Sequence, residues 1–238
     1  MKAKAVRLHG KNDLRLEEFE LPQIREDEIL AHIYSDSICM SSYKTVIQGA
    51  DHKRVHHDVA ENPAIIGHEM SGVITKVGEK WAHKYREGQK FIMQTALNYK
   101  GTLYAPGYSY PYCGGCATDI VIPNEVMLMD CLIPYEGEAY YYGSICEPLS
   151  CIIGSFHATY HTEQGKYIHK MDIKPGGKLA LLGGAGPMGL ATIDYAIHRE
   201  VHPGKMIVTD FNGERLERAK RLLPPEEAAK RGIDLSFS

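Results

Sequence analysis

The stretch KPGGKLALLGGAGPMGLATIDYAIH, Lys174 to His198, decides the fold. KPGG is a turn, KLALLG reads as a buried strand, the glycines that follow form a second turn, and PMGLATIDYAIH continues as a helix. Inside it, Gly184-Ala185-Gly186-Pro187-Met188-Gly189 fits the pattern G-x-G-x-x-G. The bare pattern is weak; the strand before it and the helix after it give it meaning. In that setting Gly184 permits the tight turn, Gly186 lets a pyrophosphate approach the backbone, and Gly189 lets helix pack on strand. Pro187 and Met188 open the helix, whose free N–H groups and positive dipole end face the phosphates. The competing reading is a strand–helix turn that holds no ligand.

Towards the C-terminus, KMIVTD is a second buried strand. It ends on Asp210, 26 residues after Gly184. A carboxylate there accepts a ribose 2′-hydroxyl and repels a 2′-phosphate, which favours NAD over NADP. Arg215 and Arg218 lie close enough to soften that choice. NGERLERAKRLL is a charged amphipathic helix with Leu216, Ala219, Leu222 and Leu223 on its apolar side. PPEEAAKRG is a short helix opened by proline, and IDLSFS starts a third strand. A complete dinucleotide-binding sheet has about six strands. At most three follow Lys174, so the expectation is a fragment or truncated product, or a sheet that a partner chain completes.

Towards the N-terminus the first 155 or so residues are β-rich. In MKAKAVRLH, Ala3, Ala5 and Arg7 alternate with Lys4, Val6 and Leu8. In EILAHIYSDSI, Ile29, Ala31 and Ile33 share one face. GVITKVGE and QKFIMQ are further short strands. NPAIIG, REGQK and YAPGYSYPY separate them, a pattern that suggests a barrel or sandwich. Ala50–Pro63 is polar and reads as a surface loop with a helical turn. The tyrosine-rich YEGEAYYYG at 135–143 is either half-buried packing or the wall of a substrate pocket.

The 238 residues suffice for two small domains, and 44% hydrophobic with 24% charged residues is ordinary globular composition. A net charge of −3 argues against broad nucleic-acid binding. No apolar signal segment follows the N-terminal lysines. Leu179 to Ile197 is apolar but broken by glycines, Pro187 and Asp194, so no membrane span is expected and a soluble cytoplasmic protein is. Six cysteines (Cys39, Cys113, Cys116, Cys131, Cys146 and Cys151) are expected as reduced thiols. Cys113-Gly114-Gly115-Cys116 is a redox pair, half a metal site, or a glycine turn; the turn is favoured.

Gly67-His68-Glu69 follows an apolar run, Cys39 lies 29 residues upstream, and Glu147 far downstream in ICEPLSC. Thiolate, imidazole and carboxylate all bind Zn²⁺, and three protein ligands with one open position is the catalytic arrangement. Spacings this long are uninformative by themselves.

Gly67-His68-Glu69-x2-Gly72-x5-Gly78 resembles the zinc signature of the medium-chain alcohol and polyol dehydrogenases, although Trp81 departs from it. Ser37-Ile38-Cys39-Met40-Ser41-Ser42 resembles the ligand loop of that family, with Met40 and Ser42 in place of the common Gly and Asp. Glu147-Pro148-Leu149-Ser150 is similar to the Glu-Pro segment of the sorbitol and threonine dehydrogenase branch. The resemblance implies a GroES-like barrel domain over 1–155 and, over 156–238, a linker and the first β-α-β part of an α/β Rossmann domain. It implies one catalytic zinc and no structural zinc. Cys39 and His68 would hold the ion, with Glu69 and Glu147 sharing the remaining coordination. It makes Ser41 the hydroxyl that passes on the substrate proton, against the alternative of a turn-capping hydroxyl. It also implies a homo-oligomeric full-length form.

LRLEEFELP, DSICMSSYK, AENPAIIGHE, PNEVM, EPLSCIIG and LGGAGPMGL further resemble the L-sorbose-1-phosphate reductases. That branch of the family interconverts a ketose 1-phosphate and an alditol phosphate. A substrate phosphate needs a cationic partner. Lys44, Lys53 and Arg54, with His52, His56 and His57, are the candidates, against a plain solvated loop. Two other functions stay open: a zinc-independent reductase of the same superfamily, and a non-catalytic remnant that binds metal or nucleotide.

Overall fold

The computed structural model describes residues 1–238. The elements run β1 (Lys2–Gly10), β2 (Asp13–Glu20), β3 (Ile29–Asp36), α1 (Met40–Gln48), β4 (Ala64–Ile65), β5 (Met70–Val77), β6 (Lys90–Met93), β7 (Asp119–Ile122), α2 (Asn124–Leu128), β8 (Leu132–Pro134), α3 (Tyr140–Ser144) and α4 (Cys146–Ala158). They continue with β9 (Tyr160–Thr162), β10 (His169–Met171), β11 (Lys178–Leu182), α5 (Pro187–His198), β12 (Lys205–Thr209), α6 (Gly213–Leu222), α7 (Pro225–Ala229) and β13 (Asp234–Phe237). The chain divides into two compact units, Met1–Glu147 and Pro148–Ser238, and the division falls inside α4.

In the first unit, a five-stranded antiparallel sheet runs β7-β3-β5-β6-β8, and a smaller one runs β2-β1-β4. Ile29, Ala31 and Ile33 point inward as their period-2 spacing requires. They join Met70, Ile74, Phe91, Ile120, Ile122 and Leu132 in one core. On β1 the alternation slips after Ala5: Ala3, Ala5 and Leu8 are buried while Arg7 is partly buried, its guanidinium over the Phe19 ring and bonded to the Pro63 carbonyl. The polar segment after α1 is better anchored than a surface loop. Val55 and Val59 are buried against Leu8, Ala64 and Ile66.

The packing reading holds for one tyrosine of the segment. Tyr140 stacks on Tyr34 at 4.3 Å, whereas Tyr141 and Tyr142 on α3 are exposed. Cys113 and Cys116 are free thiols. Cys113 sits in the main core, and a Cβ on Gly115 would collide with the Asp36 carboxylate at 2.2 Å. The Gly-Gly pair is thus a turn wrapped round a buried side chain.

In the second unit, β11, β12 and β13 form a parallel sheet in sequential order, joined through α5 and then α6 and α7. This is the strand–turn–helix–strand unit expected from Lys174 onward. The burial of β11 differs from the expectation. Leu179 and Leu181 pack on a core that holds Ile152, Phe156 and Ile193, but Ala180 is exposed and Leu182 is 83% exposed. A parallel strand is buried twice only when layers cover both sheet faces; the packing here covers one. On α6 the apolar side is Leu216 and Ala219, with Leu222 turned outward. No helix is long and apolar enough to cross a membrane.

Candidate metal centre and cofactor turn

The register of β3 against β5 explains why residues far apart in sequence meet. Asp36, the last residue of β3, pairs with Met70, the first of β5. The chain beyond β3 and the chain before β5 therefore leave the same edge of the sheet together. Cys39 lies three residues past that pair, His68 and Glu69 just before it. Their ligand atoms fall within 4.8 Å of one another. His68 and Glu69 are buried, and Cys39 is half-buried.

Cys39 caps the N-terminus of α1. The Ser41 N–H and hydroxyl both aim at its sulfur, at 3.5 and 2.9 Å. The Ser41 hydroxyl also lies 3.1 Å from His68 Nε2. Ser41 was expected to be either a proton-passing group or a capping hydroxyl; the cap acceptor is the Cys39 sulfur, and the Ser41 hydroxyl contacts only side chains of the site. Thr45 returns its hydroxyl to the Ser41 carbonyl at 2.8 Å and fixes that first turn. Burial, with the Arg54 charge second, lowers the His68 pKa to about 4, so the imidazole is neutral and keeps a lone pair for a ligand.

Three residues of the site carry no signal in their local sequence. Asp36 accepts the Glu69 N–H at 2.9 Å and the Cys116 thiol at 3.4 Å, and burial pushes its own pKa up to about 6. The Ser37 hydroxyl donates to the Glu69 carboxylate and also contacts the Ser144 carbonyl at 3.0 Å. The Tyr108 hydroxyl sits 3.0 Å from both Ser41 Oγ and His68 Nε2, with its ring 4.6 Å from the His68 ring. Burial raises the Tyr108 pKa to about 12, so it stays a neutral donor. The Tyr108 arm can lie so close because Gly107 has no Cβ: one would meet the Gly67 carbonyl oxygen at 2.1 Å. Gly67 itself holds φ +92°, a left-handed value that favours glycine.

Glu147 is not one of the three residues of the Cys39-His68-Glu69 cluster. It lies in the first turn of α4, and its charge is felt at Tyr108. Of the cations considered for a substrate phosphate, Lys44 and Lys53 are exposed, while Arg54 is half-buried beside Tyr108. The donor set of thiol, neutral imidazole and carboxylate suits a Zn²⁺ ion of the catalytic kind.

In the second unit the glycine turn follows β11. The left-handed residue is Gly183 (φ +66°), one place earlier than the motif suggests. Gly184 is constrained by space instead, since a Cβ would press on Leu181 and Val208 at 2.9 Å. Gly189 does allow close helix–strand packing, because a Cβ there would strike the Gly184 carbonyl oxygen at 2.0 Å. A Cβ on Gly186 meets nothing within 4 Å, which leaves open room beside the turn. Pro187 and Met188 stand exposed at the start of α5. Asp210, just past β12, accepts the Ala185 N–H at 3.1 Å and the Asn212 N–H at 3.0 Å, so it also ties the turn to the second strand. The open turn and the helix N-terminus fit a dinucleotide pyrophosphate.

A largely buried Cys-His-Glu cluster on a β-domain, in a chain that continues into a βαβ unit with a glycine turn, defines a dehydrogenase-type architecture. Residues 25–133 match the family described as Alcohol dehydrogenase GroES-like domain, and that segment belongs to it. The chain is homologous to L-sorbose 1-phosphate reductase of Klebsiella pneumoniae, 52% identical over 222 residues that cover 93% of this chain and 54% of that protein. It is 46% identical to mannitol-1-phosphate 5-dehydrogenase of Aliivibrio fischeri, over 96% of this chain and 54% of that one. The chain thus spans about half the length of these curated relatives. Galactitol-1-phosphate dehydrogenase of Escherichia coli shares the fold, with a TM-score of 0.67 at 20% identity, over 98% of this chain and 60% of that structure.

Proposed function

We propose that the protein is a zinc- and nicotinamide-dependent oxidoreductase that interconverts a polyol or polyol phosphate and the matching ketose. A ketose 1-phosphate such as L-sorbose 1-phosphate is the first substrate to try. The observation that carries this reading is the buried Cys39-His68-Glu69 cluster with two hydroxyls converging on it. The names of the 52% and 46% identical relatives support the substrate class. A zinc ion held there would act as a Lewis acid on the substrate oxygen. Cys39 and His68 form the firm pair of ligands, and Glu69 and Glu147 are alternates for the third.

The protein's own groups then divide the work. His68 stays neutral and aimed by Ser42, whose hydroxyl lies 3.4 Å from Nδ1. Ser41 relays the alcohol proton, its Oγ accepting that proton as it gives up its own towards solvent, and Tyr108 holds that hydroxyl in place from the other side. Gly184, Gly186, Pro187, Met188 and Gly189 form the seat of the pyrophosphate. Asp210 faces the ribose and favours NAD over NADP.

Metal analysis together with a substrate panel tests the reading. About one zinc per chain is expected, with turnover of a ketose phosphate that a chelator abolishes. Cys39→Ser is expected to lose metal and activity together. Full activity in chelated, metal-free protein would overturn the proposal in favour of a zinc-independent reductase.

A further inference from the structure

The geometry points to Arg54, seated on the Tyr108 ring, as the group that binds the dianionic phosphate of the substrate, with His52 as a second donor. This rests on the sugar-phosphate reading above and selects one residue from a basic segment.

Four observations carry it. First, the guanidinium carbon lies 5.4 Å from the Tyr108 ring centroid, while the hydroxyl of the same ring is 3.0 Å from His68 Nε2. One rigid side chain thus links the cation to the metal ligand. A phosphate one carbon from the reacting carbonyl needs its partner at such short range. Second, Arg54 is unspent. It forms no ion pair, and its guanidinium makes one long hydrogen bond, Nη1 to the Leu103 carbonyl at 3.4 Å. Most of its five donors remain available, in a planar fork suited to phosphate. Third, its charge reaches the site and is felt at both the His68 imidazole and the Tyr108 hydroxyl. A cation held beside a metal cluster attracts an anion to it. Fourth, the position is fixed beforehand. The Ser109 hydroxyl donates to the Arg54 carbonyl at 2.5 Å, the Arg54 N–H meets His52 Nδ1 at 3.3 Å, and Val55 is buried next door. The His52 ring lies parallel to Tyr108, 5.8 Å between centroids, which places a second donor on the same platform. Little ordering of the backbone is left for the ligand to impose. Lys44 and Lys53 have no such seat; both are exposed.

The test compares kcat/KM for L-sorbose 1-phosphate with that for free L-sorbose, and titrates inorganic phosphate calorimetrically into the zinc-loaded protein. In Arg54→Ala the phosphate-to-free ratio is expected to fall about 100-fold and phosphate binding at least about 10-fold. Arg54→Lys, which keeps charge but loses the fork, should recover part of both. An equal loss on both sugars, or no loss, would overturn the assignment. So would a fall in the ratio for Lys44→Ala or Lys53→Ala as large as that for Arg54→Ala. Arg54-dependent phosphate binding without turnover of any ketose phosphate would keep the anion site and remove the substrate reading. Turnover of ketose phosphates with an indifferent Arg54 would remove the anion site alone.

Discussion

The two units hold their sites in opposite ways. In the first, every group of the candidate metal cluster is braced by another side chain: Cys39 by Ser41, Glu69 by Asp36 and Ser37, His68 by Ser42 and Tyr108. In the second, the site is mostly backbone. A glycine turn lies open, and Asp210 is the one carboxylate bonded across it. A small cation is gripped by side-chain atoms that must converge, so it needs burial and a supporting shell. A long dinucleotide lies along a surface, so it needs absent side chains and free N–H groups.

Substitutions that act on these two kinds of support can break the contrast. The largest effect is expected at His68. His68→Ala should weaken zinc binding more than about 100-fold, read by competition with a chelating dye. Affinity within twofold of wild type would mean that the buried cluster is not the metal site. Next comes Gly189→Ala, where the added methyl strikes the Gly184 carbonyl. A loss of about 1–3 kcal/mol in urea unfolding is expected. An unchanged midpoint would show that the turn relaxes freely and that glycine is not required there. Asp36→Asn should follow, with zinc affinity down about tenfold, because it weakens the support behind Glu69. Unaltered affinity would reduce Asp36 to packing.

The smallest effect is in the pH dependence of the metal-free protein. Asp36 titrates near 6 in the fold against 3.8 for its ordinary value. The fold therefore binds more protons than the unfolded chain, and the stability this gives is full below 3.8 and lost as pH rises through 6. His68 has the opposite sign. Its value is about 4 against 6.5, so stability drains away as pH falls from 6.5 to 4. The two slopes oppose each other in wild type. Asp36→Asn removes one, so its stability should decline steadily on acidification through that window. A profile parallel to wild type would refute the opposition.

Much of this was legible in the residues themselves. Alternation at Ile29, Ala31 and Ile33 marks a strand, and the glycines after Leu182 mark a turn into a helix, because both follow from local backbone geometry. The resemblance singled out Cys39, His68 and Glu69, which the fold does bring together. It also named Glu147, which is not among the three residues of that cluster. The left-handed position fell to Gly183 instead of Gly184, a one-residue choice that the motif does not encode.

What only the tertiary structure decided is long-range. The pairing of Asp36 with Met70 sets which chain ends meet, and it brings Asp36 and Ser37 behind Glu69. Tyr108 reaches His68 from 40 residues away. No local pattern marks these residues, because a lone Asp, Ser or Tyr acquires its role from what folds against it. The same holds for protonation. The sequence supplies a histidine and an aspartate; burial makes one imidazole neutral and one carboxyl reluctant to ionise, since desolvation depends on neighbours that the chain delivers from elsewhere.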